Sequence, residues 1–343
     1  MIFDISKLEA AKAAQLTALI KQAGSQKLEE AMEAQTAIAA ELQTPLRAGV
    51  IEGSTIGGIF NPTKFDPNAR VEYPIDFYRN DNAGEFRAFV VPNQGRIPEF
   101  SVDSDYVTVP TYDIAASIDF LIRYAQEARW DIVGRALEVL ETMFVKKLND
   151  DGWHLLLAAA YDRGILVNDD NAAAGQFTKR LVSLLKLVMR RNGGGNSASI
   201  NRAKLTDLFV SPESLEDVRN WGVDQVDDFT RREIFTYTDD GAMSIYGVKV
   251  HELDELGEGQ EYQDYYQNTT AVGASNNGMA ATDKEIVIGL DLSKRDSFVM
   301  PIREEIQIFA DPALHRSRRA GFYGWGSQGL AALNNTRILL GSC

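Results

Sequence analysis

A single long helix is the feature that most constrains how this chain can fold. Residues Ala128–Tyr161 carry apolar side chains at intervals of three or four, the spacing of one helical stripe. The stripe consists of Trp130, Val133, Leu137, Leu140, Phe144 and Leu148. About 30 helical residues make a rod on the order of 45 Å long, whereas an average helix has about 11–12 residues. Such a rod usually supports sheets laid along it, although its periodicity also fits one buried core helix.

Composition excludes several classes of protein. The chain has 343 residues, enough for one large domain or two to three smaller ones. Its 35 basic and 49 acidic residues give a net charge of −14, which disfavours a tight grip on nucleic acid because that requires neutralised phosphates. The only cysteine is Cys343, so no disulfide can form within the chain. The sequence contains no apolar run long enough for a signal peptide or a membrane span, and we expect a soluble protein made in the cytosol.

The first part of the chain contains segments that have no evident core. Residues 4–43 are rich in alanine, are divided by Gly24-Ser25 and are predicted to end as a helix at Thr44-Pro45. Their thin apolar face fits either an arm that contacts a partner or a self-packed hairpin. Residues 50–65 are rich in glycine and turn formers and are predicted to be a linker.

A two-stranded arm is predicted within residues 66–106. Strand-like runs at Val71–Tyr78 and Glu85–Val91 flank a turn signal at Asn80–Gly84. The segment has too few apolar residues for a core, and an isolated hairpin is marginal in water. It must therefore rest on its own body or on another chain, and arms of this kind favour assembly with other subunits.

The rest of the chain mixes strands and helices without an internal repeat. Residues 106–122 are predicted to form a strand, Phe177–Arg191 a basic helix, and Leu205–Val210 a strand that leads into a helix at Ser211-Pro212. Residues 254–283 are predicted to be an acidic and polar loop. The closing strands are predicted at Glu285–Leu292, Phe298–Phe309, Ala320–Trp325 and Leu330–Leu340. The predicted class is α+β.

Candidate catalytic and cofactor motifs are weak. Gly324–Gly329 matches GxGxxG, but no helix and no acidic residue follow at the spacing that a dinucleotide site needs, so a glycine-rich connection is the better interpretation. His154, His251 and His315 lie in different elements and not at metal-ligand spacing. We therefore expect no cofactor, no metal and no enzymatic activity.

Paired acidic residues and one pair of arginines are the remaining polar candidates. We interpret the acidic pairs as solvated turns, with a cation site as the alternative. These pairs are Asp150-Asp151, Asp169-Asp170, Asp227-Asp228 and Asp239-Asp240. Arg190-Arg191 ends a predicted helix, where basic residues are favoured, and phosphate binding is the alternative there.

Five stretches together resemble a known family. They are RAFVVPNQGRIPEF at 87–100, the strand and long helix at 106–148, LTDLFVSPESLEDVRNW at 205–221, MSIYGVKVHEL at 243–253, and the closing strands at 298–340. In order and spacing they resemble the major capsid proteins of tailed bacteriophages, which have the Hong Kong 97 fold. Each stretch is degenerate alone, and the specificity comes from their order.

The resemblance implies a division of the chain into named parts. Residues 1–55 would be an N-terminal helical arm and linker, and 56–106 an extended loop. Residues 107–168 would form a peripheral domain with the spine helix, and 169–283 an axial domain. Residues 284–343 would be the closing strands of the peripheral domain.

The resemblance also implies a function and its partners. The chain would self-assemble into pentamers and hexamers of an icosahedral shell, which is made in the host cytoplasm and encloses double-stranded DNA without sequence-specific binding. A portal protein and a decoration protein are further partners that it implies. The short N-terminal region implies no cleaved scaffolding domain, hence a separate scaffolding protein or none. An encapsulin-like nanocompartment shell is the alternative.

Intersubunit contacts are expected near the tip of the extended loop, where charged residues flank the turn. The expected contact residues are Arg79, Asp81, Glu85 and Arg87. Exposed ion pairs contribute about 0–1 kcal/mol each, so a shell would depend on their repetition. Lys64 is the only lysine between Lys27 and Lys146, and with no evident asparagine partner a covalent cross-link is not expected.

Overall fold

The structure is a computed structural model that describes residues 18–25, 27–74, 106–127, 129–173, 175–192, 203–221, 243–268, 279 and 283–343. The chain divides into two compact units. The first unit comprises Met1–Val71, Val109–Gly152 and Val299–Leu330. The second comprises Glu72–Thr108, Trp153–Phe298 and Ala331–Cys343.

Helices and strands alternate irregularly along the described chain. Residues 18–23 are helical, and the helices that follow are α1 (Leu28–Gly53), α2 (Thr55–Ile59), α3 (Ile122–Gln126), α4 (Trp130–Asp162), α5 (Lys179–Asn192), α6 (Pro212–Asn220) and α7 (Glu261–Asn268). The first seven strands are β1 (Asn61–Lys64), β2 (Glu72–Pro74), β3 (Tyr106–Thr108), β4 (Tyr112–Leu121), β5 (Leu166–Asn168), β6 (Asp207–Val210) and β7 (Met243–Ile245). The remaining strands are β8 (Val248–Glu252), β9 (Ile286–Leu290), β10 (Phe298–Ala310), β11 (Arg319–Gln328), β12 (Ala331–Ala332) and β13 (Ile338–Ser342).

The predicted long helix is confirmed. Helix α4 runs from Trp130 to Asp162, against a predicted Ala128–Tyr161. Its stripe is buried at Val133, Leu140, Phe144 and Leu148, as the spacing of three and four requires. The mixture of helices and sheets also confirms the α+β class.

The first unit is built on a sheet in the order β1-β10-β11-β4. Strand β1 is parallel to β10, and the other neighbours are antiparallel. A Cβ added to Gly324 of β11 would come within 3.3 Å of the Phe144 ring, so this glycine lets α4 approach the sheet closely. The GxGxxG segment is therefore mainly strand, since Gly324–Gln328 lie inside β11.

Two predictions for the N-terminal region are wrong. Thr44-Pro45 does not end a helix, because α1 continues unbroken to Gly53. A proline inside a helix costs about 3 kcal/mol, and burial of Leu46 and Val50 on the following turns offsets that cost. The predicted linker at 50–65 contains α2 and β1 and is anchored by the fully buried Ile56.

The second unit is built on a sheet in the order β5-β13-β9-β6-β8-β7. Helices α5 and α6 cover one face of this sheet through a shared apolar core that includes Leu185, Val218 and Leu208. The other face carries Phe209, whose ring meets Trp153 edge-on at 4.9 Å. Neighbouring residues of a strand point to opposite faces, so Leu208 packs against α5 and α6 on one face of the sheet and Phe209 packs against Trp153 on the other.

The structure also corrects two predictions for the second half of the chain. Strands β9 and β13 pair with each other and lie in the second unit's sheet, so 284–343 do not all close one domain. The alternation of apolar residues marks a strand but does not say which sheet it joins. The predicted polar loop at 254–283 contains α7, where Tyr262 and Tyr266 are buried.

Candidate functional surface

The loop-tip residues predicted to make intersubunit contacts lie outside the described residues. These are Arg79, Asp81, Glu85 and Arg87. The described base of this arm is the two-stranded ribbon of β2 and β3. Tyr106 and Val107 of this ribbon are exposed, so the described part of β3 contributes no core of its own.

An exposed aromatic cluster covers part of the first unit's sheet. Phe309 of β10 stacks on Tyr323 of β11 with ring centroids 5.5 Å apart, and on Trp325 at 6.2 Å. Tyr323 and Trp325 are each 37% exposed, which is high for side chains of this size. We call these three residues the aromatic patch.

The strand geometry explains why these rings face outward. Residues alternate between the two faces of a strand, so Phe322 and Gly324 point toward α4 while Tyr323 and Trp325 point away from it. On the neighbouring strand the rings face only small side chains, because Ser117 pairs with Tyr323 and Ala115 pairs with Trp325.

An ion pair joins β11 and β4, four residues before Tyr323 along β11. Arg319 of β11 donates to the Asp119 carboxylate of β4. An apolar centre with charged neighbours is the usual composition of a protein–protein contact. The aromatic patch is therefore the surface of the first unit that best fits binding to another protein.

A cavity of about 480 Å³ opens beside β1 and β10 and is lined by residues of both charges. Its lining includes Lys64, Asp66, Arg303 and Glu305. Lys64 pairs with Glu305, and Arg303 donates to the Ala69 carbonyl oxygen at 3.1 Å. Within the described residues no group of histidine, cysteine and acidic side chains is arranged to hold a metal ion.

The two described acidic pairs are engaged by neighbouring side chains. Asp151 accepts hydrogen bonds from Tyr112 at 2.8 Å and from Lys147 at 2.7 Å. Asp169 accepts from Thr178 at 2.7 Å and lies 3.3 Å from Arg180. The prediction of a turn is wrong for Asp150-Asp151, which lies inside helix α4, whereas Asp169-Asp170 does lie where a turn begins. Asp227-Asp228 and Asp239-Asp240 lie outside the described residues.

Cys343 is buried within the second unit. Its sulfur lies 3.9 Å from the Ser214 hydroxyl, which together with that of Ser211 donates to the buried Glu285 carboxylate. Burial, followed by the charge of Glu285, raises the pKa of the Cys343 thiol to about 12. A thiol in this setting stays protonated near neutral pH and is a poor nucleophile.

His251 belongs to a structural contact with Asp207. Its Nε2 lies 2.8 Å from the Asp207 carboxylate, and its ring stacks on Phe209 at 4.8 Å. Burial raises the pKa of Asp207, but hydrogen bonds from His251 and Thr206 and the charges of His251 and Lys249 outweigh it and leave the pKa below 3.8. A lowered carboxyl pKa stabilises the fold above the unfolded-state pKa, and that stabilisation is lost as the pH falls through the folded-state pKa.

We expect Asp207→Asn to lower the free energy of unfolding at pH 7 by about 1–2 kcal/mol, because it weakens a hydrogen bond made to a charged group. It should also reduce the loss of stability below about pH 4, where the wild-type carboxylate becomes protonated. Urea unfolding at pH 7 and pH 3 measures both effects. Asp254→Asn, at an exposed carboxylate, is the control. Equal pH dependence in wild type and Asp207→Asn would contradict the assignment.

Among helices of the described residues, none is long and apolar enough to cross a membrane.

Comparison with known proteins identifies the fold. No family model matches the chain, and no curated protein matches it. The solved cyanophage Pam1 capsid matches with a TM-score of 0.52 at 14% identity, covering 83% of this chain and 88% of the other. This chain has a phage capsid fold. The predicted Hong Kong 97-type fold is thereby confirmed.

Two further phage structures share this capsid fold. A chain from Microbacterium phage Oxtober96 matches with a TM-score of 0.52 at 12% identity, covering 84% of this chain and 90% of that one. The head structure of Helicobacter pylori bacteriophage KHP40 matches with a TM-score of 0.51 at 9% identity, covering 82% and 86%. The capsid fold thus extends over most of each chain and is shared despite very low identity.

The residues of the aromatic patch are not among those predicted from the sequence to be functional. The signal was present, since Tyr323 and Trp325 alternate with Phe322, Gly324 and Gly326. An aromatic residue at every second position next to small or apolar ones predicts a sheet with two apolar faces. Deciding which face stays uncovered required the position of α4.

Proposed function

We propose that this protein is the major capsid subunit of a tailed bacteriophage, which self-assembles into an icosahedral shell around double-stranded DNA. The observation that carries the proposal is the capsid fold, shared with the cyanophage Pam1 capsid over 83% of this chain. Assembly would take place in the host cytoplasm and the product would be the virion head. The proposal of enclosed double-stranded DNA rests on the sequence resemblance to the capsid proteins of tailed bacteriophages.

The surfaces of the described residues suit a subunit that stabilises itself through neighbours. The aromatic patch and the exposed Tyr106 of the arm are large side chains that the described part of the chain leaves partly uncovered. Repeated contacts of this kind, each modest, accumulate over the many copies in a closed shell. A portal protein, a decoration protein and either a separate scaffolding protein or none complete the proposed set of partners.

The net charge of the chain suits a shell that encloses DNA better than a protein that binds nucleic acid directly. A net charge of −14 opposes broad contact with phosphates, so enclosed DNA would be confined by the shell rather than gripped by it. The proposal involves no catalytic residue. We further propose that the first unit corresponds to the peripheral domain and the second mainly to the axial domain.

Electron microscopy of the purified protein tests the proposal directly. We expect closed shells of uniform diameter, alone or with a co-expressed scaffolding protein from the same genome. DNA inside particles isolated from infected cells supports the phage reading, whereas a co-purifying enzyme inside the shells would favour the encapsulin-like alternative. A protein that remains a monomer or dimer under all these conditions would refute the assembly proposal.

The double variant Tyr323→Ser/Trp325→Ser should fold but form few or no shells, because it removes two of the three rings of the aromatic patch. The loss of two half-exposed rings should cost about 1–3 kcal/mol of folding stability, far less than loss of a buried core residue. Sedimentation through a sucrose gradient measures assembly, and circular dichroism measures folding.

A matched control replaces an exposed apolar residue outside the patch. Leu28→Ser at the start of α1 changes a side chain that is 46% exposed, and we expect normal shells. Normal shells from the double variant would show that the patch is not an intersubunit contact.

A further inference from the structure

Helix α5 is an exception in this acidic protein. It has five basic residues and no acidic residue among its 14 positions. The basic residues are Lys179, Arg180, Lys186, Arg190 and Arg191. Its inner side is fully apolar and buried in the second unit's core, through residues such as Leu181 and Leu185.

The outer side of α5 combines positive charge with exposed apolar area. Leu187 is 39% exposed, and it shares one helical face with Arg190 and Arg191, which lie three and four residues further on. Lys186 donates to the backbone oxygen of Tyr246 at 2.6 Å, which fixes the β7–β8 turn beside the helix. The Tyr246 side chain is 50% exposed. We call Leu187, Arg190, Arg191 and Tyr246 the basic face.

An acidic surface is formed by α7 and the turn that precedes it. Residues 252–268 contain six acidic residues and no lysine or arginine. Glu258, Glu261 and Asp264 are exposed at intervals of three, while Tyr262 and Tyr266 point inward and are buried. We call Glu258, Glu261 and Asp264 the acidic face. The Lys284 ammonium lies 3.9 Å from the Glu258 carboxylate.

These two faces lie on opposite sides of one sheet. Helix α5 packs on the side that carries Leu208, whereas Phe209 on the other side contacts Trp153, whose ring lies 6.2 Å from Tyr262 of α7. The basic face and the acidic face are therefore separate surfaces of opposite charge. A symmetric contact that pairs either face with itself would bring like charges together, while a contact of one face with the other brings opposite charges together.

We propose that the basic face of one subunit docks on the acidic face of a second copy of this chain. The inference rests on the proposed function, since it assigns the contact that joins subunits head to tail into rings. Tyr and Arg are the residues that protein contacts favour at their centres, and exposed Leu187 suits a protein partner better than a phosphate backbone. Phosphate binding by Arg190 and Arg191 is the outcome that the experiment separates.

Charge reversal on either face should prevent ring formation. We expect Arg190→Glu/Arg191→Glu, and separately Glu258→Lys/Asp264→Lys, to reduce particles by about tenfold or more, because like charges would then face each other. The chain that carries all four substitutions should regain assembly, since the charges are exchanged but complementary. Electron microscopy and gradient sedimentation at low salt give the readout, and circular dichroism checks folding.

Mixing the two reversed chains provides a test specific to head-to-tail contacts. Each contact in a ring that alternates between the two chains joins opposite charges, but alternation closes only rings with an even number of subunits. The mixture should therefore give hexamer-like rings or sheets and no five-membered rings. If the contact were symmetric, the mixture would have no such preference for rings with an even number of subunits.

A variant with the same change in net charge serves as control. Arg129→Glu/Arg316→Glu alters two exposed arginines of the first unit and should leave ring formation intact. Shells from wild type together with normal shells from both reversed chains would overturn this inference and leave the proposed function standing. Failure of the fourfold variant to regain assembly would also contradict the docking. Normal shells from Arg190→Glu/Arg191→Glu that no longer retain DNA would assign the basic face to phosphate instead. Absence of wild-type shells would contradict the proposed function itself.

Discussion

Replacing Asp291 by alanine is expected to lower the free energy of unfolding by about 3–5 kcal/mol, because it leaves the buried Arg337 without a counter-ion. Both side chains are fully buried, and the Arg337 guanidinium donates to Asp291 at 3.0 Å. Asp291 also accepts from the backbone amides of Lys204 and Ser293, at 2.9 and 3.0 Å. Urea unfolding of dilute, unassembled protein measures the effect, since assembly would add to the apparent stability.

Replacing Arg337 instead of Asp291 separates the contribution of the ion pair from that of the other hydrogen bonds to Asp291. In Arg337→Met the Asp291 carboxylate keeps the Lys204 and Ser293 amides as donors, so the loss should be smaller, about 2–3 kcal/mol. Two other nitrogens of Arg337, Nε and Nη2, have no partner among the described residues, which further reduces what its removal costs. A larger loss in Arg337→Met than in Asp291→Ala would contradict this ranking.

Replacing Trp153 by alanine is expected to cost about 3–5 kcal/mol, because it removes the largest fully buried side chain of the second unit and leaves a cavity. The indole meets Phe209 edge-on at 4.9 Å and lies 6.2 Å from Tyr262. It thus joins α4, the sheet and α7 in one apolar layer. Thermal and urea unfolding should both show the loss, with the slope of the urea transition unchanged.

Trp153→Phe is the matched control. It retains an aromatic ring against Phe209 and should cost about 1–2 kcal/mol, since the remaining cavity is smaller. If Trp153→Ala proved no less stable than Trp153→Phe, the indole would not be the centre of this layer.

Local patterns in the sequence were sufficient for elements that depend on their own residues. The stripe of Trp130, Leu140 and Phe144 predicted α4 to within two residues of each end, because a helix as long as α4 repeats its signal many times. Ser211-Pro212 likewise predicted the start of α6, where Ser211 accepts from the Ser214 amide at 3.0 Å.

Local patterns failed where distant contacts decide the outcome. Pro45 is a strong helix breaker, yet α1 passes through it because the buried Leu46 and Val50 hold the helix in place. The segment around Ile56 is predicted to be a linker from its glycines and turn formers, but that side chain packs against Gly152 of α4, almost a hundred residues away. The sequence near Ile56 does not reveal Gly152 as its partner, and the sequence near Pro45 does not show that Leu46 and Val50 become buried.

The candidate surfaces show the same division. The basic charge of α5 was evident from the sequence, as was the acidic character of 254–283. That they lie on opposite sides of one sheet follows only from how α5 and α7 pack. The same holds for the aromatic patch. Its aromatic residues can be identified in the sequence, but their exposure depends on α4 covering the opposite face of the first unit's sheet.

The sequence by itself determined the long helix, the α+β class and the resemblance to phage capsid proteins. These follow from periodicity, capping residues and the order of segments, which can all be identified in the sequence alone. Tertiary structure alone decided which sheet each closing strand joins and which aromatic rings stay exposed. It also decided that the basic helix α5 and the acidic helix α7 pack on opposite faces of one sheet. Those outcomes depend on contacts between residues far apart in sequence, and a strand's alternation records only that one side is buried, not what buries it.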